Sequence, residues 1–278
     1  MPELPEVETI VRGLRACLPG RRVEEVVVTQ PAILRTPLAQ FADTLTGARI
    51  TAVTRHGKHV LLELSRRSRA GARAWWIVHL GMTGQFICAR DGQNHPPHTH
   101  AWFPLEGGDV LRYTDVRRFG RMEATSEGAG GIPAVLAALG PDPLEIDAAD
   151  FAARLRARDA RVKALLLDQR FLRGMGNIYA DETLFRAQVH PAAAGRRLSR
   201  ARALRLWAAM REVLAEAIER GGSSISDYVD AGGRPGSFQD LHRVYGRTGE
   251  PCVTCGARVR RSIVAGRGSA WCPRCQKK

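Results

Sequence analysis

The first residues carry a pairing that can do covalent chemistry on a sugar: Pro2 behind an initiator methionine, followed at once by Glu3. Removal of Met1, the usual fate of a methionine before so small a residue, would leave a secondary amine at the N-terminus. An α-amino group has a reference pKa near 7.7 to 8.0, so about a tenth of it is neutral at pH 7, and burial raises that share. A neutral amine attacks an aldehyde or a sugar C1′ carbon to give a Schiff base. A neighbouring carboxylic acid, Glu3 or Glu6 one turn on, can protonate a sugar oxygen or a departing base. The same residues also read as a simple helix start, with Pro5 at N1 and acids near the positive end of the dipole.

Lysine usage points to a second candidate. The 278-residue chain has 42 Lys+Arg, of which only Lys58, Lys163, Lys277 and Lys278 are lysine. Where Arg serves almost every positive charge, an internal Lys is a candidate for giving up a proton, which the guanidinium pKa forbids. The net charge of +14 implies a polyanionic partner, most often nucleic acid, because neutralised phosphates release counterions and supply affinity independent of sequence.

Cysteine spacing supplies the third. Cys252, Cys255, Cys272 and Cys275 form two CxxC pairs with sixteen residues between them, within the spacing of a four-thiolate structural zinc site. Four protein ligands leave no open coordination position, so one Zn2+ would fold a β-hairpin module without doing chemistry. Arg258, Arg260, Arg261, Arg267 and Arg274 make that hairpin a candidate phosphate grip.

The elements that must hold these groups follow from periodicity. Val7, Ile10, Val11, Leu14, Cys17 and Leu18 recur at helical spacing and predict a helix over about 5 to 18, ended by Pro19-Gly20. From there to about 125, short β-rich runs separated by Gly, Pro and Arg/Ser stretches predict an antiparallel sandwich or barrel. EGAGGIP and LGPDPLE read as a linker, and helical periodicity then returns in DAADFAARLRAR, RVKALLLD, NIYADETLFRA and SRARALRLWAAMREVLAEAIERGG. The expected organisation is α+β and multidomain: an N-terminal helix and antiparallel β-sandwich (1–126), a linker (127–146), a helical domain (147–240) and a zinc finger (241–278). With 44% hydrophobic residues the chain is too apolar for a disordered tail and too irregular for a coiled coil or collagen. It shows neither an 18-residue apolar run nor a signal peptide, so a cytosolic location is expected.

PELPEVE (2–8), HGK (56–58), HLGMTG (79–84), LRYTDVRRFG (111–120), GMGNIYADE (174–182) and VYG (244–246), with the zinc spacing, occur in that order across the chain. In this the sequence resembles the bacterial formamidopyrimidine-DNA glycosylase family. The resemblance implies a bifunctional glycosylase and AP lyase of base excision repair. Such an enzyme flips oxidised purines, 8-oxoguanine and formamidopyrimidines, out of duplex DNA, excises them and cuts by β,δ-elimination. It also implies a helix-two-turn-helix in the helical domain, lesion-bearing or abasic duplex DNA as partner, a monomer, and a bacterial cytoplasmic enzyme held to the nucleoid by DNA.

Carried over by motif, Pro2 is the Schiff-base nucleophile, Glu3 the acid/base at the sugar ring, Lys58 a proton donor in β-elimination, and Arg267 a participant in δ-elimination; Glu6 supports the pocket. Met82, Arg117 and Phe119 fall where the family has its void-filling wedge. Asn177, Lys163 and Arg267 fall where it holds the phosphates flanking the flipped nucleotide, and His98 and Arg158 align with further DNA contacts.

Three positions depart from the family pattern. Val116 replaces a usual proline and is expected to loosen the turn that aims Arg117; His59 stands where an aromatic is common; Ser226 replaces a basic residue of some relatives. A pyrimidine-specific enzyme of the endonuclease VIII type is disfavoured by PELPE in place of PEGPE and by the Arg117-x-Phe119 wedge. A non-catalytic zinc-containing DNA-damage binder is disfavoured by the joint presence of Pro2, Glu3 and Lys58. A metal site at His95, His98 and His100 is the weakest alternative, since the intervening prolines favour an extended loop.

Overall fold

The structure, a computed structural model, describes residues 2–65, 73–90, 95–126, 133–225 and 227–278. The chain divides into two compact units, one of residues 1–138 and 221–236, the other of 139–220 and 237–278. The sequence boundaries assigned all of 147–240 to the helical domain; the segment Gly221–Gly236 instead returns to the N-terminal unit. Met1, most of the SRRSRAGARA stretch, EGAGGI of the linker and Ser226 lie outside the described residues.

The N-terminal unit begins with α1 (Leu4–Cys17) and adds a short helix, α2 (Leu38–Leu45), in a region the sequence pattern gave to strands. β2 (Arg49–His56), β3 (His59–Ser65), β4 (Arg73–His79) and β8 (Arg121–Ser126) form one antiparallel sheet in the order β2-β3-β4-β8. β1 (Val27–Val28), β6 (Thr99–Leu105), β7 (Asp109–Asp115) and β5 (Gly84–Arg90) form the other in the order β1-β6-β7-β5. Alternating apolar residues of both sheets meet in one core with Val7, Ile10, Val11 and Leu14 of α1 and Phe41 of α2. Trp76 sits at its centre, its ring 4.4 Å from Phe103 and 5.4 Å from Phe86, the tilted and edge arrangements that aromatic quadrupoles favour.

The second unit contains α3 (Ala148–Arg156), α4 (Val162–Leu167), α5 (Asn177–Arg186) and α6 (Arg200–Glu219), followed by the hairpin of β9 (Arg260–Val264) and β10 (Arg267–Trp271). Asp147 caps α3 by accepting from Ala149 and Asp150 N–H, and Ser199 caps α6 by accepting from Arg202 N–H, the usual answer to unsatisfied donors at a helix start. Among the described residues no helix is long and apolar enough to cross a membrane.

Candidate active site and nucleic-acid interface

Pro2, Glu3 and Glu6 are all buried, Glu3 at 3% and Glu6 at 2% exposure. Glu3 is the N-cap of α1, and Pro5 lies in the first turn, where a missing N–H costs no hydrogen bond. The Glu6 carboxylate accepts from Glu3 N–H through Oε2 and from Ser223 N–H through Oε1, both at 2.8 Å. The Tyr228 hydroxyl donates to the Glu6 carbonyl at 3.3 Å. Gly222, at φ +81°, abuts this carboxylate so closely that a Cβ would stand 2.8 Å from Oε1. Glu6 therefore fastens the returning 221–236 segment to the backbone of Glu3.

Lys58 occupies the two-residue turn between β2 and β3, closed by the His56–His59 pair. Gly57 at φ +61° takes the first central position, as a type II′ hairpin turn requires. The lysine is 8% exposed. Two contacts set α1 antiparallel to β2: Arg15 Nε donates to the Val53 carbonyl at 2.7 Å, and Arg55 Nε to Glu8 Oε2 at 2.9 Å. Moving toward the helix start thus means moving along β2 toward the Lys58 turn. Beside that turn the rings of His59 and His79 lie 5.0 Å apart across β3 and β4. Burial, with the positive charge of Lys58 contributing, pushes both imidazoles down to about 4.

Met82 and Phe119 are exposed at 39% and 50%, unusual for large apolar side chains, and the Arg117 guanidinium stacks over the Phe119 ring at 4.6 Å. They come from two turns joined by Asp115, which sequence reasoning passed over. Its carboxylate accepts from the Thr83 hydroxyl, the Tyr113 hydroxyl (2.9 Å), Gly120 N–H (2.8 Å) and Arg117 N–H (3.3 Å). Burial alone would raise the Asp115 pKa, but these bonds to the charged form hold it below the usual carboxylate range. Arg117 N–H also donates to Thr83 Oγ1 at 3.1 Å, so Val116 does not leave this turn unrestrained. His98, exposed at φ +65°, accepts through its carbonyl from Asp115 N–H, and His100 Nε2 meets the Asp115 carbonyl.

In the second unit, Asn177 opens α5 after Gly176, which supplies no capping side chain. It lines a recess of about 290 Å³ with Tyr245, Arg261, Gly268 and Ser269, and its buried Oδ1 has no hydrogen-bond partner. A helix start, with its N–H groups and positive dipole end, suits an anion. Tyr245, within VYG, has no local signal that marks it; its place beside Asn177 is set by long-range folding. Arg267 is exposed at the start of β10, and Arg158 is exposed after α3.

Lys163 departs from expectation. It is fully buried, paired with Asp181 at 2.7 Å, and donates to the Gly268 carbonyl at 2.8 Å. Its charge is committed inside the protein, so it does not reach a phosphate from this position. Asp181 also accepts from Ala270 N–H at 2.9 Å, and the adjacent Glu182 accepts from the N–H groups of Arg243, Val244 and Tyr245. Burial pushes the Asp181 carboxyl up to about 6 even though Lys163 pulls it down. The two acids of NIYADE thus clamp α4, the zinc hairpin and the VYG turn onto α5.

The sulfurs of Cys252, Cys255, Cys272 and Cys275 converge within 4.8 Å of one another. The Cys255–Cys272 and Cys252–Cys275 separations are 3.4 and 3.9 Å, against about 3.8 Å for a tetrahedron with zinc–sulfur bonds of about 2.3 Å. N–H groups of Thr254 and Cys275 approach the sulfurs of Cys252 and Cys272 at 3.5 Å. The donor set fits one structural zinc ion. Among the described residues these cysteines are the group of potential ligands that converges, and the histidines of HPPHTH do not join one.

This build, a β-sandwich with an N-terminal helix, a helical unit and a thiolate-clasped hairpin, defines a class of multidomain zinc-bearing proteins. Residues 1–122 match the formamidopyrimidine-DNA glycosylase N-terminal domain, 139–229 its H2TH domain, and 249–278 the zinc finger found in FPG and IleRS. The chain belongs to the formamidopyrimidine-DNA glycosylase family. It is 47% identical to the enzyme of that name from Solibacter usitatus and 46% identical to that from Cereibacter sphaeroides, covering 100% of each pair of chains. Among solved structures it is similar to a Lactococcus lactis Fpg variant in complex with a Fapy-dG containing DNA (TM-score 0.90, 35% identity, 100% of both chains). It is also similar to the MutM protein of Thermus thermophilus (TM-score 0.85, 44% identity, 99% of this chain and 98% of that one).

Proposed function

We propose that the protein is a bifunctional DNA glycosylase and AP lyase of base excision repair that removes 8-oxoguanine and formamidopyrimidines from duplex DNA. The reading is carried by the buried Pro2 and Glu3 at the start of a helix aimed toward the turn that bears Lys58. With Met1 removed, the neutral Pro2 nitrogen attacks C1′ while the bond to the base breaks; the electron pair leaves with the base, which takes up the proton that the Pro2 nitrogen gives up. Glu3 protonates the ring oxygen as the sugar opens, leaving an iminium on Pro2. A C2′ proton then passes to water as the C3′–O bond breaks and the 3′ phosphate leaves, with Lys58 as proton donor to the departing oxygen, and a second elimination served by Arg267 expels the 5′ phosphate. Met82, Arg117 and Phe119 fill the hole left by the flipped nucleotide. Asn177 and Arg267 hold its flanking phosphates, and His98 and Arg158 grip the backbone further out. The partner is lesion-bearing or abasic duplex DNA, bound by a monomer in the bacterial cytoplasm at the nucleoid.

Borohydride trapping tests this on a duplex carrying 8-oxoguanine opposite cytosine, beside a thymine-glycol duplex and the Pro2→Gly variant. The expected result is a covalent complex on the purine lesion, strongly reduced in the variant. Trapping mainly on thymine glycol moves the protein to the pyrimidine-specific enzymes, and tight binding without trapping leaves a damage binder. Intact mass of the active protein must show loss of Met1.

A further inference from the structure

We infer that Asp115 is the positioning residue of the wedge, its buried carboxylate locking the Met82 turn to the Arg117–Phe119 turn so that the two present one rigid tool. The inference rests on the glycosylase reading above.

A carboxylate offers about four lone-pair sites, and here all four are filled. Oδ1 takes the Thr83 hydroxyl and Arg117 N–H, and Oδ2 takes the Tyr113 hydroxyl and Gly120 N–H. The residue is 0% exposed, so no water competes. Its main chain adds the His98 carbonyl and the His100 ring. Every wedge or backbone contact proposed for this unit, Met82, His98, Arg117 and Phe119, therefore lies on a segment bonded to one aspartate. Val116 provides none of the fixed φ that a proline would give, which makes the carboxylate the chief restraint on how Arg117 leaves the turn.

Rigidity matters for a wedge in particular. Driving apolar side chains into a base stack opposes stacking energy at each step, and a loose turn would lose further entropy at every insertion. A turn fixed at folding has already lost it.

The test separates wedge from chemistry by comparing two substrates. On a duplex with 8-oxoguanine opposite cytosine the lesion must be flipped and its hole filled; on a single-stranded abasic oligonucleotide neither is needed, but the Schiff base still forms. Asp115→Asn places an amide NH2 against donors. It is expected to slow borohydride trapping about 100-fold on the duplex, the size of a lost unstacking contribution, and to leave single-strand trapping unchanged. Thr83→Val keeps side-chain shape, removes one donor to Asp115 and one of the two acceptors of Arg117 N–H, and is expected to show the same split at about tenfold; it decides the matter if Asp115→Asn fails to fold by circular dichroism. Equal loss on both substrates, or no loss on the duplex, overturns the assignment. Absence of trapping by the unmodified protein on either substrate overturns the glycosylase reading itself, and this inference with it.

Discussion

Ser223 N–H donates a 2.8 Å hydrogen bond to Glu6 Oε1 across 217 positions of sequence, while the other oxygen of the same carboxylate holds Glu3 N–H. The proposed acid and the returning segment thus share one buried anchor. Glu6→Gln must turn an NH2 toward one of these two N–H donors. It is expected to lower stability by about 1 to 3 kcal/mol, the penalty for a buried donor left unsatisfied, as read from urea unfolding at unchanged m-value. Gly222→Ala should also destabilise, because its Cβ would stand 2.8 Å from Glu6 Oε1 at φ +81°. A neutral result for both would show that the segment is held by other means.

The His59 and His79 pair gives a pH dependence. Both are pushed down to about 4 in the fold, against about 6.5 unfolded. Above pH 6.5 both states are neutral and no cost arises. As pH falls from 6.5 toward 4 the unfolded chain takes up protons that the native state refuses, so stability is lost through that window, on the order of 2 kcal/mol per ring. Unfolding free energies from pH 7 to pH 4.5 should show this slope. His59→Tyr, which replaces one imidazole with a ring that does not titrate in this range, should flatten it; an unchanged slope would place the titration elsewhere.

How much of this was legible in the sequence depended on whether a signal was local. Helical spacing locates α1, and CxxC spacing locates the zinc ligands. Each depends on neighbours within a few residues. The return of 221–236 to the first unit was not legible, because it is fixed by bonds such as Ser223 to Glu6, Gln85 to the Asp227 carbonyl and Cys88 N–H to the Ala231 carbonyl. Asp115 carries no signal of its own in TDVRRFG, since nothing near it in sequence announces that Thr83 closes on it. Lys163 stands out by rarity, but rarity does not give its surroundings, and only folding pairs its charge with Asp181.

The zinc prediction follows from how the hairpin is packed. Cys252 and Cys272 are buried in a small cluster with Phe185 of α5, Val244 and Val259, too little apolar surface to hold β9 and β10 without the metal. The protein should release one equivalent of zinc on thiol modification. Chelation or Cys272→Ser should abolish DNA binding and remove the hairpin's protection from proteolysis, while the β-sandwich unfolds as before. Retained DNA affinity in the zinc-free protein would dissociate the hairpin from DNA binding.

Lys163 and Arg261 should separate stability from DNA contact. Lys163→Met leaves Asp181 a buried acid without its cation, held only by the Ala270 N–H bond, and is expected to cost about 3 to 5 kcal/mol. Adding Asp181→Asn should recover part of that loss, because the two residues are directly paired and their effects cannot be additive. A buried cation releases no DNA counterions, so Lys163→Met should leave the slope of log affinity against log salt unchanged in protein kept folded at low temperature. Arg261 is exposed and lines the Asn177 recess. Its replacement by Ala should change stability by no more than about 0.5 kcal/mol and lower the salt slope by about 1. A reduced slope for Lys163→Met would mean that the ion pair with Asp181 opens on DNA and that the lysine does reach a phosphate in the complex.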